Sequence, residues 1–117
     1  MFEKEINALA DAEPAISLVN QLIEWRRPGE YRFKDDFLEE YKVWVCASNM
    51  LRKSKDRDFR SFGNHMRELS QVMAELDELP KDSRKFRRKL AEVERIGTRG
   101  FRIGRRVSER LALINVV

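Results

Sequence analysis

His65 is the only histidine in the chain, and it stands beside Asn64 and Arg67 with no nucleophile motif around it. A Ser–His–Asp arrangement needs a serine and a carboxylate brought to one imidazole, and metal capture by histidines needs more than one of them. Neither has a supporting pattern, so His65 reads as a polar surface or DNA-facing residue. Asp35, Asp36, Glu39 and Glu40 are the densest set of carboxylates. Acid–base or metal chemistry would need a converging partner that the sequence does not offer, and they suit the positive end of a helix instead. Cys46 lies alone in an apolar, aromatic stretch, which leaves no disulfide framework and no thiol cluster. There is no GxxxxGK[ST] loop and no GxGxxG turn to cradle a nucleotide phosphate. The expectation is a chain with no catalytic residue, no metal and no cofactor, and no small-molecule substrate is evident.

The arginines carry chemistry of another kind. Residues 81–117 hold twelve Lys and Arg against four Asp and Glu, whereas residues 1–30 hold three against six and residues 31–80 nine against ten. The whole positive excess therefore sits at one end. An Arg-rich surplus concentrated in this way is the electrostatic footprint of a surface that meets a polyanion, and nucleic acid is the commonest polyanion that soluble domains meet. A solvated charged face is the alternative.

The elements that must position these residues are read from apolar spacing. At 117 residues, 42% of them apolar and 38% charged, the chain suits one folded domain. No run approaches the roughly 18 apolar residues of a membrane span, and Met-Phe-Glu-Lys-Glu lacks the basic-then-apolar order of a signal peptide. With its lone cysteine, the chain is expected in the cytoplasm, or in a host's cytoplasm, as a whole protein or an excised piece of one.

Phe2, Ile6 and Leu9 mark a helical arm over residues 1–13, and Pro14 is expected to open a second helix on Ile16, Val19, Leu22 and Ile23. Arg27-Pro28-Gly29 ends it. A third begins near Lys34 on Phe37, Leu38, Tyr41 and Val45, followed by a loop from Ser48 to Ser54. Another starts after Ser54 or Asp56 and runs through Phe59, Phe62, Met66 and Leu69 toward Leu79, whole or broken near Ser70. Pro80 stops it. Phe86, Leu90, Val93 and Ile96 signal a basic helix that Gly97 would end. From Phe101 the apolar residues Ile103, Val107, Leu111 and Leu113 fall on odd positions, and this period of two predicts a β-hairpin over Phe101–Val117, with a helix from Val107 to Leu113 as the other reading. Phe37, Tyr41, Trp44, Phe59 and Phe62 are assigned to the core, because stacking platforms for single strands are usually sheets. Tyr31 and Phe33 stay open.

Three helices followed by a hairpin is the plan of a winged helix-turn-helix, so the expected fold is mainly α, with residues 14–117 forming that domain around a helical insertion at about 70–96. In this plan the helix from Arg57 enters the major groove and offers Arg57, Arg60, Ser61, Asn64, His65 and Arg67 to base edges. Lys53, Lys55, Arg84, Arg87, Arg88, Arg102, Arg105 and Arg106 would hold phosphates.

Three motifs also carry a resemblance: Val19-x2-Leu22-Ile23-x-Trp25, Phe37-Leu38-x2-Tyr41-Lys42-x-Trp44 and Phe59-x2-Phe62-Gly63-x2-Met66. Together they resemble the small C-terminal domain of poxvirus-type and phage primase–helicases, and Arg102-Ile103-Gly104-Arg105-Arg106-Val107 is similar to the wing of that domain. The resemblance covers about Pro14 to Leu69 and the last twenty residues, and residues 70–96 depart from it. It implies winged-helix DNA binding without catalysis.

The function expected is a DNA-binding protein of phage, viral or mobile-element type, acting on duplex DNA in replication or its regulation. The alternative is a helical dimerisation or adaptor module whose basic face meets an acidic partner. A homodimeric DNA binder would combine the two.

Overall fold

The computed structural model describes residues 1–115, and every regular element among them is a helix: α1 (Glu3–Glu24), α2 (Phe33–Asp36), α3 (Leu38–Arg52), α4 (Arg57–Asp77) and α5 (Arg84–Asn115). The expected winged helix-turn-helix is overturned, because Phe101 to Asn115 lies inside α5 and no described residue forms a strand. Of the expected hairpin, Val116 and Val117 lie outside the described residues. The physical reason is a shared period. Ile103, Val107 and Leu111 are four residues apart, a spacing that fits alternation by two and a helical turn equally. Their continuation back through Gly100, Ile96 and Val93 fits only the helix. Gly97, expected as a helix stop, is an interior residue, as are Gly100 and Gly104.

Two further boundaries move. The expected loop from Ser48 shrinks to residues 53–56, since α3 continues to Arg52. Pro14 starts nothing; it sits exposed inside α1, with residues 3–13 and 14–24 in one helix. Residues 70–96 form the last turns of α4, the turn at Pro80 and the first turns of α5.

The four long helices make an antiparallel up–down bundle in the cyclic order α1, α3, α4, α5, with its closest packing between α3 and α4 and between α4 and α5. The molecule is elongated, 52 × 24 × 21 Å. Its core runs along the axis through Val19, Ile23, Trp44, Leu51, Phe59, Met66, Leu69, Met73, Val93 and Ile96. At one end the Phe2 and Phe59 rings lie 5.5 Å apart, which sets the starts of α1 and α4 side by side. The Trp44 indole Nε1 donates a buried hydrogen bond of 2.7 Å to the Met66 carbonyl and fixes α3 against α4. Phe33 is buried edge-on to Tyr41 and Trp44, while Tyr31 lies over Phe37 at 5.3 Å.

Both long C-terminal helices begin on side-chain caps. Asp56 Oδ1 accepts from the amides of Asp58 and Phe59 at 2.9 and 3.3 Å, and Ser83 Oγ accepts from that of Phe86 at 3.1 Å. Asp77, at the other end of α4, accepts from the Phe33 and Lys34 amides at 3.1 Å each and so holds the start of α2.

Candidate nucleic-acid interface

Because α5 buries Phe86, Val93, Ile96 and Val107 on one side, its opposite side must face water. Arg84, Arg88, Arg95, Arg102 and Arg106 occupy that side, separated by four, seven, seven and four residues, and all are exposed. At 3.6 residues per turn these spacings keep the five guanidinium groups within about 40° of one another, over about 33 Å of helix. Arg87 and Arg105 flank the stripe toward α1. None of these seven arginines forms an ion pair with a described residue.

Of the other cations of α5, Lys85 is exposed and pairs with no described residue, and the remaining three are engaged. Lys89 pairs with Glu75 at 2.7 Å and Glu92 at 3.1 Å, Arg99 with Glu68 at 2.7 Å, and Arg110 with Asp56 at 2.9 Å. Three of these four contacts cross to α4, so the helix divides its charge into one row that ties the bundle and another that is free. The hydrogen bonds that the Lys89 ammonium donates to the Glu75 and Glu92 carboxylates raise its pKa above the ordinary value.

The residues expected to read bases fare differently. α4 lies between α3 and α5, with Phe59, Phe62, Gly63, His65, Met66 and Leu69 buried, and does not project as a recognition helix. Arg57, Asn64 and Arg67 are exposed on its narrow outer side, which they share with Glu68 and Glu75. Arg60 donates to the Ser54 and Lys55 carbonyls at 3.2 and 3.5 Å, Ser61 is half-buried, and Asn64 Oδ1 accepts from Arg52 at 3.2 Å.

His65 is corrected outright. It is 6% exposed and cannot reach a base edge. Burial, reinforced by the nearby Arg99 cation and partly offset by Glu68, lowers its pKa to about 4, so the ring is neutral. Its Nδ1 is buried without a hydrogen-bond partner.

Of the expected phosphate contacts, Arg84, Arg87, Arg88, Arg102, Arg105 and Arg106 all lie on the outer side of α5. Lys53 and Lys55 stand apart, exposed in the α3–α4 turn. Arg95 was absent from the expected set although it completes the row; its place seven residues from both Arg88 and Arg102 was the available signal. Ending the basic helix at Gly97 keeps Arg95 on its outer face but breaks the row before Arg102.

A second feature had no sequence signal. α1 and α5 meet only lightly, leaving an open seam of about 870 Å3 lined by Ile6, Leu9, Ile16, Phe62, His65, Phe101 and Leu111, with Glu13, Glu24 and Arg105 among its polar residues. No helix among the described residues is long and apolar enough to cross a membrane, and no cluster of three His, Cys, Asp or Glu among them could hold a metal ion. Compared with protein families, curated proteins and solved structures, the chain matches none.

Proposed function

We propose that the chain is a helical nucleic-acid-binding protein that grips the phosphate backbone with the outer face of α5, acting in replication or its regulation in a phage, virus or mobile element, in the cytoplasm of its cell or host. The observation that carries this reading is the row of five exposed arginines, unpaired with any described residue, on a helix whose opposite side buries Phe86, Val93, Ile96 and Val107. Arginine is suited to phosphate because its planar fork presents several donors at once and stays charged at any physiological pH. A row on a single straight helix supplies grip without base selection. Fluorescence anisotropy with labelled duplex and single-stranded DNA over a salt series tests it. Five phosphate contacts on duplex would give a slope of log affinity against log salt of about −4 to −5. Absence of binding to both probes at low salt would end the proposal.

The open α1–α5 seam favours a second reading, a helical interaction module. Phe101 is 37% exposed at its edge, and a second helix pair laid on the seam would bury it with Ile6 and Leu9. Sedimentation equilibrium decides: self-association abolished by Phe101→Glu supports this reading, and a monomer at all concentrations counts against a homodimer.

A further inference from the structure

α1 and α5 are held together at two points and stand apart between them. Ile23 packs so closely on Gly97 that a methyl group at position 97 would overlap it, and toward the other end the Arg110 guanidinium lies 5.4 Å from the centre of the Phe2 ring. Between these contacts the seam opens onto the core, with Phe62 and Leu69 of α4 in its floor and Ile6, Leu9, Ile16 and Phe101 along its sides. The three other neighbouring pairs of long helices close by direct packing, whereas here apolar interior meets water, at a cost in free energy until something covers it.

The two lips of the seam carry opposite charge. α1 holds five carboxylates, Glu3, Glu5, Asp11, Glu13 and Glu24, against the single Lys4, whereas α5 turns Arg87 and Arg105 toward α1. Glu13 and Arg105 both line the seam, and both are exposed. Counted from the Ile23–Gly97 contact along these antiparallel helices, Glu13 is ten residues away and Arg105 eight, about 15 Å and about 12 Å in the same direction. They therefore stand at one level on opposite lips. Neither forms an ion pair with a described residue.

We infer that the occupant of the seam is a second copy of this chain, related by a two-fold axis running along the seam, so that α1 of each copy lies on α5 of the other and Glu13 of each pairs with the partner's Arg105. A face that closes on its own copy needs a two-fold axis in the plane of contact. An axis along the seam sets acidic α1 on basic α5 at both contacts and keeps every residue at its own level, so Glu13 meets the partner's Arg105 without a slip. An axis across the seam sets α1 on α1 and arginines on arginines, and like charges brought together oppose association. This arrangement rests on the second reading of function, the helical interaction module, and gives it a partner and an orientation. None of the five row arginines lines the seam, so the pairing and the phosphate surface are tested apart.

Charge reversal in the intact protein tests this. Sedimentation equilibrium should show the wild-type chain dimerising, and Glu13→Arg and Arg105→Glu should each weaken dimerisation at least about tenfold, because each change sets two like-charged pairs across the dyad. Mixed in equal amounts, the two variants should associate again, since both cross-pairs of a mixed dimer are of opposite charge. A Glu13–Arg105 contact within one chain would be restored by making both changes in that chain and never by mixing, so recovery in the mixture identifies both the partner and the orientation. Circular dichroism checks that variants at these exposed positions stay folded. A mixture that associates no better than either variant alone, or dimerisation indifferent to both changes, overturns this pairing and leaves the interaction module standing. A wild-type chain that is monomeric at all concentrations removes the homodimer and this inference with it.

Discussion

Gly100 of α5 lies against the imidazole of His65 on α4 so closely that a methyl group at position 100 would overlap the ring. Gly104, one turn on, has 3.6 Å between its would-be methyl and the Phe62 ring, an ordinary contact. The two glycines therefore make opposite predictions. Gly104→Ala should be neutral or stabilise by up to about 1 kcal/mol, since alanine is the better helix former. Gly100→Ala gains the same propensity but must displace His65 or part the helices, and overpacking of that kind costs about 1–3 kcal/mol. Urea denaturation of the pair should show a lowered midpoint for Gly100→Ala alone.

His65 makes stability depend on pH. Its folded pKa of about 4 lies below the ordinary 6.5, first through burial and then through the Arg99 cation, so the unfolded chain takes up the proton more readily. Its contribution is fully present above about pH 6.5 and falls as pH drops toward about 4. Between pH 7.5 and 5 the loss should reach about 2 kcal/mol, ahead of most carboxylate protonation. His65→Gln, which has no proton to gain, should flatten the stability curve between pH 7.5 and 5. An unchanged slope would show that the ring is solvated.

Much of this architecture was legible, and the failures share a cause. Helices α4 and α5 announced themselves through Phe59, Phe62, Met66 and Leu69, and through Phe86, Leu90, Val93 and Ile96, because apolar residues three and four apart define a helical face. The end of α5 was misread because local rules treat glycine as punctuation. Gly97 and Gly100 instead serve contacts distant in sequence, with Ile23 and His65. Pro14 misled as well: it is exposed within α1, and the helix continues through it although proline gives up one backbone hydrogen bond there. The arginine surplus was visible as composition, but a single straight row depended on α5 being unbroken. The α1–α5 seam depends on how helices far apart in sequence meet.

Asp56 joins three elements. One carboxylate oxygen caps α4, and the other accepts from Arg110, whose guanidinium also lies 5.4 Å from the centre of the Phe2 ring. Asp56→Ala should cost about 2 kcal/mol, most of it the lost cap. Asp56→Asn keeps the capping oxygen and should cost less than half of that. Arg110→Ala, removing a partly exposed pair worth about 1 kcal/mol or less, should chiefly speed amide exchange in the first turn of α1. Hydrogen exchange at Ile6, whose amide bonds the Phe2 carbonyl at 2.9 Å, reads that loosening directly.

If the row on α5 holds phosphates, its members should be interchangeable in kind and unequal to every other arginine. Arg88→Ala, Arg95→Ala and Arg102→Ala should each weaken binding to unrelated sequences alike and each reduce the salt slope by roughly 0.9 on duplex. Arg57→Ala and Arg67→Ala alter residues exposed on α4, which a major-groove reader would need, and here should leave affinity nearly unchanged. Arg99→Ala should also spare the slope, because that guanidinium is already bonded to Glu68 at 2.7 Å. Salt titrations of these six variants separate the two arrangements: a slope that falls only for the α4 changes would move the contact surface from α5 to α4. The row also sets an expectation of shape. A straight helix can follow a phosphate backbone only over a limited arc, so the effect should be largest for Arg95, at the centre of the row, and smaller toward Arg84 and Arg106.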